Sequence, residues 1–136
     1  RITIQERMGG TGIAADELED LFAFVDTIDA VAGLSADAPD VAAGEALFFD
    51  QTVGCANCHS GPGFSDGQLY AIISSELRTA TPPLRGLAFS APYMSDRSAL
   101  DIEDLLQQWV VTNRMGHGSH LTDAELGQLA AYLKSL

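Results

Sequence analysis

The sequence is poor in positive charge. Only 7 of its 136 residues are Lys or Arg, against 19 Asp and Glu, which leaves a formal net charge of −12. Nucleic acids and anionic membrane surfaces attract Lys and Arg, so neither is expected as a partner. The charge instead favours docking on a basic surface of another protein, at rates that depend on salt.

Long apolar runs are absent as well, and cysteine is scarce. No stretch approaches the ~20 apolar residues of a membrane helix, so no membrane insertion is expected. The two cysteines, Cys55 and Cys58, lie too close together to build a disulfide framework. What remains is a globular composition, 46% hydrophobic and 19% charged, of a length that suits one domain with or without an appendage.

Helical periodicity dominates the rest of the chain. The predicted helices are 13–28, 41–50, 99–111 and a last one that follows Thr122. Ser98 is the predicted N-cap of the third helix, and Thr122 with Glu125 forms a capping box before the fourth. Residues 60–98, rich in Gly, Pro and Ser, are predicted to be loops. No β alternation of useful length is present, so the predicted fold class is all-α.

An internal repeat suggests a domain boundary. Residues 13–28 align without gaps on residues 121–136, and Arg7-Met8-Gly9 echoes Arg114-Met115-Gly116. Two amphipathic helices can look alike by chance. The sharper hypothesis is that residues 1–34 form an N-terminal helical segment, the tail of a preceding related domain, and that residues 40–136 form the domain described below.

Residues 55–59 carry the chemistry. They read Cys-Ala-Asn-Cys-His, and C-x-x-C-H is the attachment signal for c-type haem. Two thiols on one helical turn can each reach a vinyl group of a single porphyrin. His59 is then carried beneath the ring as the proximal iron ligand. The spacing therefore predicts one covalently bound haem c, held by Cys55 and Cys58.

Two other interpretations compete with haem. His117 and His120 could complete a Cys2His2 zinc site, which would make the chain a zinc-binding interaction module. That interpretation leaves His59 unexplained. A dithiol redox pair expects a βαβ context, which the sequence lacks.

With this motif the chain resembles the c-type cytochromes over residues 40–136. Gly44 and Phe48 fit the GxxxF helix that precedes the haem motif in that family, and Tyr132 fits the aromatic of the terminal helix. The resemblance implies that these two helices cross in close contact at the glycine. It also implies a periplasmic or otherwise exported protein in bacteria. Residues 1–10 lack the apolar stretch of a signal peptide, so we expect that it was removed or that the chain is cut from a longer one.

A narrower resemblance covers the middle of the chain. Residues 64–67, 81–86 and 91–96 are similar to the C-terminal, electron-transferring haem domain of the bacterial di-haem cytochrome c peroxidase and MauG-like family. Ser95 and Arg97 depart from it, since they stand where that family has His and Gly. In that family a second cytochrome domain lies upstream. The chain is thus either a one-electron carrier serving a basic redox partner, or the electron-feeding or peroxidatic half of a di-haem enzyme with such an upstream domain.

The resemblance also implies a second axial ligand. In c-type cytochromes a methionine in a loop shortly before the terminal helix commonly fills this position, and Met115 occupies that place. Its neutral, soft thioether raises the reduction potential relative to a second histidine. Met94, His117 and His120 are the alternatives.

Two further residues are expected beside the haem. A proximal histidine usually donates its other ring N–H to a backbone carbonyl, and the carbonyl of Pro62 is the predicted acceptor. Arg85 is predicted to pair with a haem propionate, although a solvated surface arginine is an equal alternative.

Overall fold

The computed structural model describes residues 9–28, 33–35 and 37–136, so Arg7 and Met8 of the repeat lie outside the described residues. The chain divides into two compact units, Arg1–Ala30 and Val31–Leu136. The motif and every candidate ligand lie in the second unit. Whether residues 1–34 derive from a preceding domain stays a prediction.

The first unit contains helix α1, Ala15–Asp26, inside the predicted span 13–28. The Glu17 carboxylate accepts a hydrogen bond from the backbone N–H of Ala14 at 2.9 Å, which satisfies one donor at the helix start. No residue of α1 is buried, and Phe22 and Val25 of its apolar face are 59% and 51% exposed. The apolar face predicted from the periodicity is thus present without a core of its own.

The second unit is organised by the crossing of α2, Ala38–Phe49, with the last helix, Asp123–Ser135. Helix α2 begins three residues before the predicted start of 41, because Pro39 fits the first turn of a helix. A Cβ atom at Gly44 would overlap the carbonyl oxygen of Gln128 and would lie 2.8 Å from the Cβ of Tyr132. The close approach implied by Gly44 is confirmed, because only glycine leaves room for it.

The third helix begins later than predicted. Helix α3 spans Ile102–Leu105, and its N-cap is Asp101, whose carboxylate accepts from the N–H of Asp104 at 2.7 Å. The prediction of Ser98 as N-cap was wrong, because the backbone becomes helical only after Asp101, whose side chain is therefore the one in reach of the free N–H groups. The chain continues as a π-helix over Leu106–Val110, a wider turn than the periodicity assumed.

The segment between α2 and α3 consists mainly of loops. It contains short 3₁₀ turns at Cys55–Asn57 and Leu87–Phe89. It also contains a small antiparallel hairpin of β1, Leu69–Tyr70, with β2, Thr79–Ala80. The hairpin was missed because two residues per strand show no alternation. The all-α class with loops around a central cavity is otherwise confirmed.

The last helix, α4, begins at the predicted capping box. Thr122 Oγ1 accepts from the N–H of Glu125 at 3.3 Å, and the Glu125 carboxylate accepts from the N–H of Thr122 at 2.8 Å. Hydrogen bonds from the backbone and hydroxyl of Thr122 hold the pKa of Glu125 below its ordinary value of 4.5. Lys134, near the other end of α4, pairs with Glu103 of α3.

We expect Gly44→Ala to destabilise the second unit by about 1–3 kcal/mol, the usual cost of overpacking. The added methyl group meets the backbone of α4, which cannot turn aside as a flexible side chain would. Chemical denaturation measures the effect. Gly127→Ala, also in a helix but with nothing within 4 Å of its Cβ, is the control. It should gain up to about 1 kcal/mol of helix propensity, and equal losses in both variants would contradict the crossing.

We expect Thr122→Ala to lower the free energy of unfolding by about 1 kcal/mol through loss of the cap. Because the Glu125 pKa is depressed in the folded chain, its contribution is present above pH 4.5 and is lost as the pH falls through the folded value. The deficit of the variant should therefore shrink in acid, which thermal melts across pH would show. Thr112→Ala, which removes a hydroxyl bonded to the Gln108 carbonyl, is the control without a cap.

Candidate functional site

A cavity of about 550 Å³ opens in the second unit. This volume falls in the ~300–1,000 Å³ range of cofactor sites. Cys55, Cys58 and His59 all contribute to its lining, and so do Leu129 and Leu133 of α4. Most of the remaining lining comes from the loops between α2 and α3. The helix crossing and the loops thus direct the C-x-x-C-H motif toward one shared, largely apolar space.

The cysteines are presented by a tight turn. Gly54, with φ 78°, starts the 3₁₀ turn, and the N–H of His59 donates to the carbonyl of Cys55 at 3.0 Å. Both thiols are free and half-buried. Burial raises the pKa of the Cys55 thiol to about 11, so at neutral pH it is a protonated thiol. The two sulfurs are left available for covalent attachment of a cofactor.

His59 is oriented by the backbone. Its Nδ1 lies 3.1 Å from the carbonyl oxygen of Phe64, so the tautomer with hydrogen on Nδ1 donates to that oxygen. Nε2 then carries the lone pair that a metal requires. Burial lowers the pKa of the imidazole, against the opposing effect of the Phe64 and Pro82 carbonyls. The ring is therefore neutral at physiological pH.

The prediction that the carbonyl of Pro62 orients His59 was wrong. The Pro62 carbonyl accepts from Arg85 Nε at 2.7 Å instead. The acceptor for His59 lies two residues later, because Phe64 adopts a left-handed conformation, with φ 55°, that ends the turn. A phenylalanine there gives no sequence signal for this conformation, which glycine or asparagine would have given.

Arg85 is exposed and does not contribute to the cavity lining, so its expected pairing with a propionate is not supported. Arg114 lines the cavity instead. Its guanidinium lies 4.1 Å over the ring of Trp109, and Nη2 donates to the Ile73 carbonyl at 3.2 Å. Sequence reasoning missed Arg114, although its place directly before Met115 was a usable signal.

The candidates for the second axial position separate clearly. Met115 and Met94 both line the cavity, whereas His117 and His120 are exposed and do not. The N–H of Met115 donates to the Trp109 carbonyl at 2.8 Å, which ties its loop to the π-helix. The cavity therefore brings the predicted Met115 together with Cys55, Cys58 and His59.

The zinc interpretation finds no ligand set. Within residues 9–28, 33–35 and 37–136, no three His, Cys, Asp or Glu side chains come close enough to hold a metal ion. His117 and His120, which it needs, are both exposed. Among the same residues no helix is long and apolar enough to cross a membrane.

Asp66 and Tyr70 are further residues that sequence reasoning did not select. The N–H of Asp66 donates to the carbonyl of Cys58 at 2.9 Å, and the hydroxyl of Tyr70, which lines the cavity, donates to the Asp66 carboxylate at 2.7 Å. The Tyr70 hydrogen bond lowers the pKa of Asp66, and the negative carboxylate in turn raises the pKa of Tyr70. Together they attach the start of the hairpin to the motif.

The residues around the cavity fit a covalently bound haem. Two free thiols three residues apart, a neutral imidazole beside them, thioethers from Met115 and Met94, and apolar walls supply the chemistry that haem c requires. Thr81, which lines the same cavity, has a buried hydroxyl with no hydrogen-bond partner among the described residues. An arrangement for a dithiol or for zinc would not need the apolar walls.

Comparisons with known proteins agree with this geometry. Residues 41–136 match the family model described as Cytochrome c. No curated protein matches the chain. Among solved structures, one of Kuenenia stuttgartiensis hydrazine synthase under xenon is similar, with a TM-score of 0.70 and 22% sequence identity. The match covers 92% of this chain and 56% of that chain, so the present chain spans little more than half the length of that relative. At this identity the likeness shows the fold.

Denaturing mass spectrometry of the chain matured with haem should show the apoprotein mass plus one haem, with neither thiol open to alkylation. The two thioether bonds should survive acid extraction, because they are covalent. In Cys55→Ala only the bond from Cys58 remains, and the alkaline pyridine spectrum should shift accordingly. An unchanged apoprotein mass with two reactive thiols would contradict the assignment of the site.

Proposed function

The chain belongs to the cytochrome c family, whose domains bind haem c covalently and transfer electrons. From this premise we propose that residues 40–136 are a single-haem, one-electron carrier with His59 and Met115 as axial ligands. The observation that carries the proposal is one cavity lined by Cys55, Cys58, His59 and Met115. Met94 lines the same cavity, and Met115 is preferred because it stands in the loop shortly before α4, where the resemblance places the axial methionine.

The bound iron supplies a one-electron ferric–ferrous couple. The protein's own part begins with His59, whose Nδ1–H is engaged with the Phe64 carbonyl, so that Nε2 would be the atom that binds the iron, on a ring of fixed orientation. Met115 contributes a neutral, soft donor that favours the ferrous state. With His59 and Met115 both bound to the iron, no coordination position would be open to peroxide, which is the condition for a carrier.

The rest of the cavity controls water and charge. Apolar side chains such as Leu84, Leu129 and Leu133 keep solvent from the metal, which limits the rearrangement that accompanies each electron transfer. Arg114 is the guanidinium that lines this cavity, and we assign to it the propionate-pairing role first expected of Arg85. Its stacking on Trp109 holds the group in place.

The net charge of −12 supports a redox partner with a basic docking surface, with transfer rates that fall as salt rises. We also propose an upstream domain in the parent protein. The repeat between residues 13–28 and 121–136 supports it, and so do the exposed apolar side chains of α1, whose counterparts in α4 are buried. Haem attachment to this motif outside the bacterial cytoplasm supports a periplasmic or exported location.

A second candidate is the electron-feeding or peroxidatic half of a di-haem peroxidase-like enzyme. The segments that resemble that family contribute Thr81, Pro82 and Met94 to the cavity lining, which favours it. A rapid reaction of a high-spin ferric site with peroxide or cyanide would support the peroxidatic version. A six-coordinate, low-spin ferric spectrum supports the carrier and leaves the electron-feeding role open.

We expect Met115→Leu to abolish the sulfur-to-iron charge-transfer band of the ferric protein and to lower its reduction potential, because leucine matches the volume but offers no sulfur. Met94→Leu, made at the other methionine of the cavity, is the matched control and should keep both. Visible spectra and potentiometric titrations measure the two effects. Loss of the band in Met94→Leu alone would transfer the ligand role to Met94.

A further inference from the structure

We propose that Arg85 is a positioning residue for the proximal histidine, acting through the turn of residues 61–64 (the proximal turn) that carries the Phe64 carbonyl. The inference rests on the proposed function in so far as His59 is an iron ligand. It replaces the expectation that Arg85 meets a propionate. Three contacts of the 84–85 segment with the proximal turn carry it.

The first two contacts are hydrogen bonds to successive carbonyls. The N–H of Leu84 donates to Gly63 at 3.2 Å, and Arg85 Nε donates to Pro62 at 2.7 Å. A main-chain donor and the side chain that follows it thus hold adjacent peptide groups. Since Leu84 is buried in the core while Arg85 is exposed, the core anchors one bond and the guanidinium adds the other.

The third contact is to the residue that orients His59. The Arg85 guanidinium carbon lies 5.7 Å from the centroid of the Phe64 ring, within the range of a cation–π interaction. The Phe64 ring also contacts Phe48 of the core, whose ring centroid lies 5.8 Å away in an edge-to-face arrangement. Phe64 is therefore fixed between the core and Arg85.

Phe64 needs this fixing because its backbone is strained. At φ 55° a phenylalanine occupies the left-handed region, which side chains with a Cβ atom rarely adopt. Its N–H donates to the Gly61 carbonyl at 3.1 Å, and the next N–H, of Ser65, donates to Ser60 at 2.7 Å. Strained conformations persist only where the surroundings over-determine them, and Arg85 supplies contacts at both Pro62 and Phe64.

The consequence for the metal has a definite sign. The hydrogen bond from Nδ1 to the Phe64 carbonyl makes the imidazole a stronger donor, which stabilises the ferric state. When the proximal turn loosens, that bond weakens and the potential rises. Removing a positive charge has the opposite effect, because a nearby cation favours the reduced state, and salt screens this second effect.

The test uses the haem-loaded protein and the variant Arg85→Met, which keeps the length of the side chain and removes its donor and charge. At high salt its reduction potential should lie above that of the unsubstituted protein. The chemical shifts of the paramagnetically shifted His59 ring protons should also change. Phe64→Leu removes the stacking partner without a change of charge and should shift both in the same direction. The double variant should give less than the sum of the two shifts.

Arg78→Met is the matched control, since Arg78 is also exposed and lies outside the 84–85 segment and the proximal turn. It removes the same charge and should leave the high-salt potential and the His59 resonances unchanged. If Arg85→Met folds and matches the parent in both, or if its high-salt potential falls, the positioning role is wrong. If the unsubstituted protein shows no shifted imidazole resonances, His59 is not an iron ligand, and it is then the proposed function that fails.

Discussion

The close crossing of α2 and α4 at Gly44 is the constraint on which the second unit depends. It places the end of α2, and hence the turn with Cys55, Cys58 and His59, beside the face of α4 that lines the cavity. A side chain at that glycine would separate the helices and widen the space between the motif and its apolar wall. A backbone contact with no chemistry of its own thereby sets the dimensions of the site.

The features that sequence reasoning predicted correctly are local. The C-x-x-C-H turn and the capping box at Thr122 each follow from residue type at fixed spacing, whereas the close approach at Gly44 was implied by the family resemblance. The features it missed depend on backbone geometry that the residue types do not reveal. Asp101, not Ser98, caps α3, and the carbonyl of Phe64, not that of Pro62, accepts the hydrogen bond from His59. In both cases the geometry of a turn decided which of several chemically possible acceptors was in reach.

The two arginines illustrate the same limit. Arg85 stands in a segment that resembles a known family, which drew attention to it, whereas Arg114 was passed over although it directly precedes Met115. Only the folded chain shows that Arg114 lines the cavity and that Arg85 donates a hydrogen bond to Pro62 in the proximal turn. Residue type alone predicted an arginine near the site. It left open whether Arg85 or Arg114 lines the cavity and which of them contacts the proximal turn.

The π-helix at Leu106–Val110 has a bearing on how this site tolerates change in length. A π turn accommodates one residue more than an α turn, and each residue of an α-helix advances the chain by about 100° around its axis. The N–H of Met115 donates to the carbonyl of Trp109, which lies in this widened turn. Deletion of a single amino acid there would regularise the helix and swing the Met115 side chain away from the cavity, so the length of this turn sets which side chain reaches the space beside the motif.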